Sequence, residues 1–198
     1  MEIGKFPAGL LERILSKVDI SDPRVVVGPR MGEDTAVLRT GGSLLVAKSD
    51  PVTFATDQIG WYAVQVNAND VACTGGTPKW FLATLLVPEQ FTEEEAEGVF
   101  DEILEACRSI DVSLVGGHSE VTYGIDRPII MGTMLGEVEQ DRLILTGGAQ
   151  EGDSIVVTKG IAIEGTALLA REKSSELLQA GMSQAGIDKA ASLLSVPG

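Results

Sequence analysis

At 198 residues, 44% hydrophobic and 22% charged, the chain is long enough for one good domain, or one domain and part of a second, and too apolar to be disordered. Its net charge of −14 argues against a nucleic-acid backbone as partner, since such binding runs on clustered Lys and Arg, but leaves open nucleotides held through Mg2+ and backbone N–H groups. Two cysteines without a CxxC pair, no apolar signal core after Met1 and no run of membrane-spanning length read as a soluble cytoplasmic protein with packed thiols.

Apolar residues recur at Leu10, Leu11, Ile14, Leu15 and Val18, which predicts an amphipathic helix over residues 7–18, ended by Ser21-Asp22-Pro23. Val25-Val26-Val27 reads as a brief strand entering the loop Gly28-Pro29-Arg30-Met31-Gly32. Glu33-Asp34 follows, then a hairpin of residues 36–38 and 44–47 around Gly41-Gly42. Its second strand is expected to end at Lys48-Ser49-Asp50-Pro51. Acidic residues then sit at both open ends of the hairpin, close together in a simple register.

Residues 57–73 form the helix around which the chain is organised. It ends in Asn67-Ala68-Asn69-Asp70, and Asn and Asp disfavour helix interiors because they compete with the backbone for hydrogen bonds. Asn67, Asp70 and Thr74 share one face, and Val64, Ala68, Val71 and Ala72 cover the neighbouring surface. A helix packed on one side and acidic at its end suits a cation or a polar ligand; a solvated face closed by Gly75-Gly76 is the bland alternative. A strand over residues 80–87 follows, then a helix over 92–109 opened by a Thr92/Glu95 capping box, with Phe100, Ile103, Leu104 and Cys107 inward. Residues 112–115 read as a strand ending in the loop Gly116-Gly117-His118-Ser119-Glu120, and residues 128–135 as a strand buried on both faces. Residues 143–145 read as a possible edge strand within a polar connection. The chain divides into residues 1–150, a first domain, and 151–198, which includes a helix near 164–171 and is too short to bury its own core.

Four acid-bearing segments thus lie where elements meet loops, where side chains converge on ligands: Glu33-Asp34, Asp50, Asp70, and His118 with Glu120. Several hard carboxylate oxygens suit Mg2+ or Mn2+, and Mg2+ suits nucleotide phosphates. One histidine and two scattered cysteines do not make a zinc set, and no GxxxxGK[ST], GxGxxG or GxSxG stretch supports a P-loop, Rossmann or nucleophile-elbow reading.

In this order, Gly32-Glu33-Asp34-Thr35-Ala36-Val37, Lys48-Ser49-Asp50, Asn67-Ala68-Asn69-Asp70-Val71-Ala72 with Gly76-Thr77-Pro78, and Gly116-Gly117-His118-Ser119 resemble the aminoimidazole-ribonucleotide (AIR) synthetase superfamily. That superfamily includes the purine enzyme, thiamine-monophosphate kinase, selenophosphate synthetase and HypE, and the chain looks most similar to its HypE-like, synthase-related members. The resemblance implies an α+β domain, a mixed sheet flanked by helices that pairs with a second copy into a β-barrel across a homodimer. It implies ATP in a groove along that interface and Mg2+ held by carboxylates. Carried over, Asp34 with Glu33, Asp50 and Asp70 match metal and phosphate positions, supported by Asn67 and Asn69. Lys48 is placed to reach a phosphate oxygen as a point charge, and Gly116 and Gly117 line the phosphate side. Two departures stand out: His118, with Glu120, where the family has an Asp after the glycines, and Glu33 in place of an Asp. His118 either ligates or leaves the site one carboxylate short. Residues 151–198 read as the opening of an incomplete second α/β domain, and HypE's C-terminal cysteine has no counterpart after Cys107.

The resemblance leaves three readings. One is an ATP- and Mg2+-dependent enzyme that activates an oxygen by phosphoryl transfer, HypE-like, acting on a small molecule or a protein thiol beside a maturation partner. Another is a small-molecule kinase of the thiamine-monophosphate type, and the third a nucleotide-binding dimerisation module without turnover. No catalytic residue is assigned.

Overall fold

Six strands build one mixed sheet; those of residues 43–52, 77–87 and 129–138 alternate in burial with period two, and the helices of residues 59–73 and 93–109 pack on the buried face. The computed structural model describes residues 1–196. They fall into two units, residues 1–53 with 58–149, and residues 54–57 with 150 onward. The first unit runs α1 (Ala8–Leu15), β1 (Val25–Val27), β2 (Ala36–Thr40), β3 (Ser43–Val52), α2 (Ile59–Cys73), β4 (Thr77–Val87), α3 (Glu93–Ser109), β5 (Ser113–Val121) and β6 (Ile129–Val138). The strand order is β1-β2-β3-β6-β4-β5. Every neighbouring pair is antiparallel except β4 and β5, which are parallel and need the crossover that α3 supplies. This is the α+β sheet flanked by helices that the resemblance implies.

α3 begins at the expected capping box: the Glu95 N–H donates to Thr92 Oγ1 at 3.1 Å and the Thr92 N–H to Glu95 Oε2 at 2.8 Å. α2 packs on β3, β6 and α3. Val46, Val64, Phe81, Ile103, Ile130 and Met134 are fully buried between the sheet and these helices. On the other face, the odd residues of β3 and β6 and the even residues of β4 are half-buried or exposed along their whole length.

Several expectations change. Lys48-Ser49-Asp50 does not end a strand, because β3 continues to Val52 along β6 after its pairing with β2 has stopped at Ala36↔Ala47. Gly116 to Glu120 is no loop but the body of β5. Two glycines read as a turn, yet here they let an edge strand lie close to β4: Gly117 has φ +153°, and a Cβ there would run into the Ala83 carbonyl. Val115 is the extra residue of a bulge, since Leu114 pairs with Phe81 and Gly116 with Leu82. Residues 143–145 form no strand; the Ile144 N–H donates instead to the Thr74 carbonyl at 3.0 Å. β6 is buried on one face only, with Met131 45% exposed. The apolar stripe of α1 contains no buried residue. Cys107 is buried, and burial pushes its thiol up to about 11, but Cys73 is exposed rather than packed.

The second unit contains α4 (Ile163–Glu172), α5 (Ser174–Gln179) and α6 (Gln184–Ala191). α4 packs against α6 over Ala167, Ala170 and Ile187. Residues 54–57 are tied to α4, where the Glu172 carboxylate accepts from the Thr56 N–H at 2.8 Å, its hydroxyl at 2.9 Å and the Asp57 N–H at 3.2 Å. No helix among the described residues is long and apolar enough to cross a membrane.

Candidate functional site

Along β3, every second side chain turns toward α2, so Leu44 and Val46 are followed on the buried face by Lys48 and then Asp50. An ammonium therefore lies where an apolar row would continue, and the Lys48 side chain is only 7% exposed. Burying a charge is expensive unless it is paired, and three segments supply partners. Lys48 Nζ lies 2.8 Å from Asp70 Oδ2 at the end of α2, 3.2 Å from Asp50 Oδ1 on its own strand, and 3.9 Å from Asp34 Oδ1 before β2. Burial pushes the Lys48 pKa down, but the hydrogen bonds and charges of Asp70 and Asp50 outweigh it and hold the group above the ordinary lysine value. One ammonium faces three carboxylates, so the cluster keeps an excess of negative charge.

The frame around these acids is built from uncharged side chains. Asn67, 0% exposed, accepts the Asp50 N–H on Oδ1 at 2.9 Å, and its Nδ2 donates to the Asp50 carbonyl at 3.3 Å and the Ala63 carbonyl at 2.8 Å. Its carboxamide thus serves the backbone of β3 at a point where β2 no longer runs alongside. Gly132, opposite Asp50 on β6, makes room for it: a Cβ there would stand 2.5 Å from Asn67 Nδ2 and 2.8 Å from the Phe81 ring. Thr74 Oγ1 donates to the Asp70 carbonyl at 3.0 Å and lies 2.9 Å from Thr35 Oγ1, fastening the residue after Asp34 to the end of α2.

The structure thus gathers Asp34, Asp50, Asp70 and Lys48. It gives the other candidates different surroundings. Asn67 is wholly buried, and its carboxamide hydrogen-bonds to the backbone of Asp50 and Ala63. Asn69 is exposed beside Asp70. Glu33 turns away from Lys48; it pairs with Arg30 at 3.1 Å and accepts from the Thr146 N–H and hydroxyl, each at 3.4 Å. It lies in a cleft of about 410 Å3 formed by residues 30–33 and 145–148. His118 Nε2 and Glu120 Oε2 lie 3.2 Å apart on the exposed surface of β5. Three strand steps separate β5 from β3, roughly 14 Å at ordinary strand spacing, too far for His118 and Asp50 of one chain to ligate one ion. Gly116 and Gly117 border a separate cleft of about 330 Å3 beside Phe100 and Ala83.

Among the described residues, no three His, Cys, Asp or Glu side chains are gathered as a ready metal site. At the Asp34–Asp50–Asp70 cluster the Lys48 ammonium stands between the carboxylates. The donor set itself is three hard oxygens from three segments with net negative charge, which is the chemistry Mg2+ takes. The residue types were readable in the sequence; Lys48 as their centre was missed, although its phase with Leu44 and Val46 carried the signal.

Residues 32–138 match the family model described as AIR synthase related protein, N-terminal domain. A protein of Methanocaldococcus jannaschii named for hydrogenase expression and formation is 31% identical over 161 residues, covering 79% of this chain and 48% of its own length. A thiamine-monophosphate kinase of Rhodopirellula baltica is 34% identical over 172 residues, covering 78% and 51%. The chain spans about half the length of these curated relatives. Among solved structures, AaThiL complexed with AMPPCP and TMP superposes with a TM-score of 0.73 at 23% identity, covering 93% of this chain and 56% of that one. The hydrogenase maturation protein HypE in complex with ATP gives 0.59 at 22%, covering 81% and 46%. At these identities the structures speak for the fold alone, whereas the family match takes in more than half of the chain. The chain belongs to the AIR synthase related protein family, with residues 32–138 as its N-terminal domain.

Proposed function

We propose that this chain is the ATP- and Mg2+-binding part of an enzyme that transfers a phosphoryl group from ATP to an oxygen of its acceptor. The observation that carries the reading is the convergence of Asp34, Asp50 and Asp70 from three segments on one point, inside a cluster of net negative charge. Curated relatives named as thiamine-monophosphate kinases, and a structural neighbour complexed with AMPPCP, support it.

In this reading Asp50 and Asp70 hold the metal, with Asp34 completing the set from its exposed position. A bound Mg2+ supplies neutralisation of phosphate charge and orientation of the transferred group. Asn67 keeps Asp50 in place through the backbone, and Asn69, exposed beside Asp70, faces the nucleotide side. Lys48, once turned from the carboxylates, offers a point charge to phosphate oxygens. The half-exposed face of the sheet is the surface on which a second copy pairs. Gly116, Gly117, His118 and Glu120, remote from the acids within one chain, act on the phosphates only in such a pair.

The acceptor divides the reading in two. A HypE-like enzyme would phosphorylate a carbamoyl oxygen on a protein thiol and dehydrate it, beside a maturation partner protein. A thiamine-monophosphate-type kinase would phosphorylate a phosphate oxygen of a small molecule. Relatives named for both activities fall at similar identity, so the comparisons favour neither.

Calorimetry of ATP with Mg2+ and with a chelator tests the binding, and radiolabelled γ-phosphate transfer to thiamine monophosphate or to a carbamoylated cysteine peptide tests the acceptor. Magnesium-dependent ATP binding that disappears in Asp50→Asn and Asp70→Asn is expected. Equal binding with and without magnesium, in all three proteins, would overturn the reading.

A further inference from the structure

The centre of the acidic cluster is held by the chain itself. Lys48 Nζ takes the space between Asp70, Asp50 and Asp34 at 2.8, 3.2 and 3.9 Å, and its side chain is only 7% exposed. An ammonium has three N–H donors, and here three carboxylates from three segments are turned toward it. A divalent ion needs the same oxygens at roughly 2.0–2.1 Å, so it would have to stand where the ammonium now stands. Two cations a few ångströms apart in a half-buried site repel strongly, and the ligands cannot serve both at full strength.

We propose that Lys48 is a built-in counter-cation: it keeps the three aspartates assembled in the absence of metal and is dislodged when a divalent ion binds. The inference rests on the metal reading of the same site given above. Three consequences separate it from a lysine that merely binds phosphate. Divalent ions alone bind weakly to the natural chain, because they must expel an ammonium already paired with their ligands. Metal and nucleotide bind cooperatively, because phosphate oxygens receive the expelled ammonium. Removing the ammonium raises affinity for the bare ion while lowering that cooperativity.

The test uses the 198-residue chain, natural and Lys48→Met, with Mn2+ alone followed by electron paramagnetic resonance and melting temperature followed against Mg2+. Lys48→Met is expected to bind Mn2+ at least tenfold more tightly and to gain more in melting temperature from Mg2+ than the natural chain gains. Should Lys48→Met fail to fold in metal-free buffer, recovery of its fold by Mg2+ or Mn2+, and not by equal ionic strength of sodium chloride, supports the proposal. Absence of recovery at saturating metal overturns it. Equal or weaker Mn2+ binding by a folded Lys48→Met overturns the counter-cation role and leaves the metal site standing. If neither protein binds Mn2+, with or without ATP, the metal reading itself falls and this inference with it.

Discussion

Asn67 and Asp50 are joined twice across the junction of α2 and β3: the Asp50 N–H donates to Asn67 Oδ1 at 2.9 Å, and Asn67 Nδ2 donates to the Asp50 carbonyl at 3.3 Å. The carboxamide does for β3 what a neighbouring strand would do, at the residue that bears one of the site's acids. Truncation by Asn67→Ala leaves buried polar groups without partners, each worth about 1–3 kcal/mol. Urea denaturation should show a loss of at least that size for the two Asp50 backbone groups together, and affinity for magnesium and ATP should fall through the loosened Asp50.

The three aspartates differ in how firmly they hold Lys48, and their substitutions should rank accordingly. Asp70 is closest to the ammonium and 25% exposed, Asp50 is at 3.2 Å and 40% exposed, and Asp34 is at 3.9 Å and 74% exposed. At pH 7 without metal, Asp70→Asn should cost most, on the order of 1–2 kcal/mol after allowing for solvent screening. Asp50→Asn should cost less, and Asp34→Asn should fall within about 0.5 kcal/mol of the natural chain. Chemical denaturation midpoints measure the ranking, and a reversed order would contradict the geometry.

Gly132→Ala tests the same frame from the opposite strand. Its Cβ would meet Asn67 Nδ2 at 2.5 Å and the Phe81 ring at 2.8 Å, with no room on either side. Overpacking of this kind costs about 1–3 kcal/mol. The displaced Asn67 should loosen Asp50, so calorimetry should also show weaker binding of magnesium and ATP.

Alkaline pH should unfold the chain through two groups. Cys107 is buried, with its thiol pushed up to about 11 by that burial, and Lys48 is held above its ordinary value by Asp70 and Asp50 against the effect of burial. Both groups bind their proton more tightly in the folded state, so the stability they give is complete at neutral pH and is lost as pH rises. For Cys107 the window runs from about 9 to about 11, and the loss is on the order of 2–3 kcal/mol. Cys107→Ala should flatten that part of the stability profile, and the remaining loss at higher pH should belong to Lys48.

The thiols should also separate by access. At pH 8 a disulfide reagent should modify exposed Cys73 rapidly and reach buried Cys107 only in denaturant. Rapid modification of both would contradict the packing of α3 on the sheet.

Much of this fold was legible because patterning and local chemistry carried it. The Thr92/Glu95 capping box fixes where α3 begins, and the helix expected over residues 57–73 meets α2 to within two residues of its start. The acids at Asp34, Asp50 and Asp70 were legible as candidates from residue type and order. What escaped depends on contacts between distant segments. Gly116-Gly117 looks like a turn by composition, and only the presence of β4 alongside makes it an edge strand. Glu33 looks like the partner of Asp34, but Arg30 and Thr146 engage its carboxylate. The backbone role of Asn67 also escaped, because nothing local reveals that β2 stops short of Asp50 and leaves backbone groups for a carboxamide to satisfy.

We propose that Asp34, Asp50 and Asp70 hold a divalent ion that carries ATP. Crystals grown with Mn2+ and a non-hydrolysable ATP analogue, examined by anomalous scattering, test it most directly. The account predicts a manganese peak bonded to Asp50 and Asp70 carboxylate oxygens, with the Lys48 ammonium turned away toward phosphate. A peak bound instead at the His118–Glu120 pair, or an analogue bound with Lys48 still seated among the three aspartates, would contradict it.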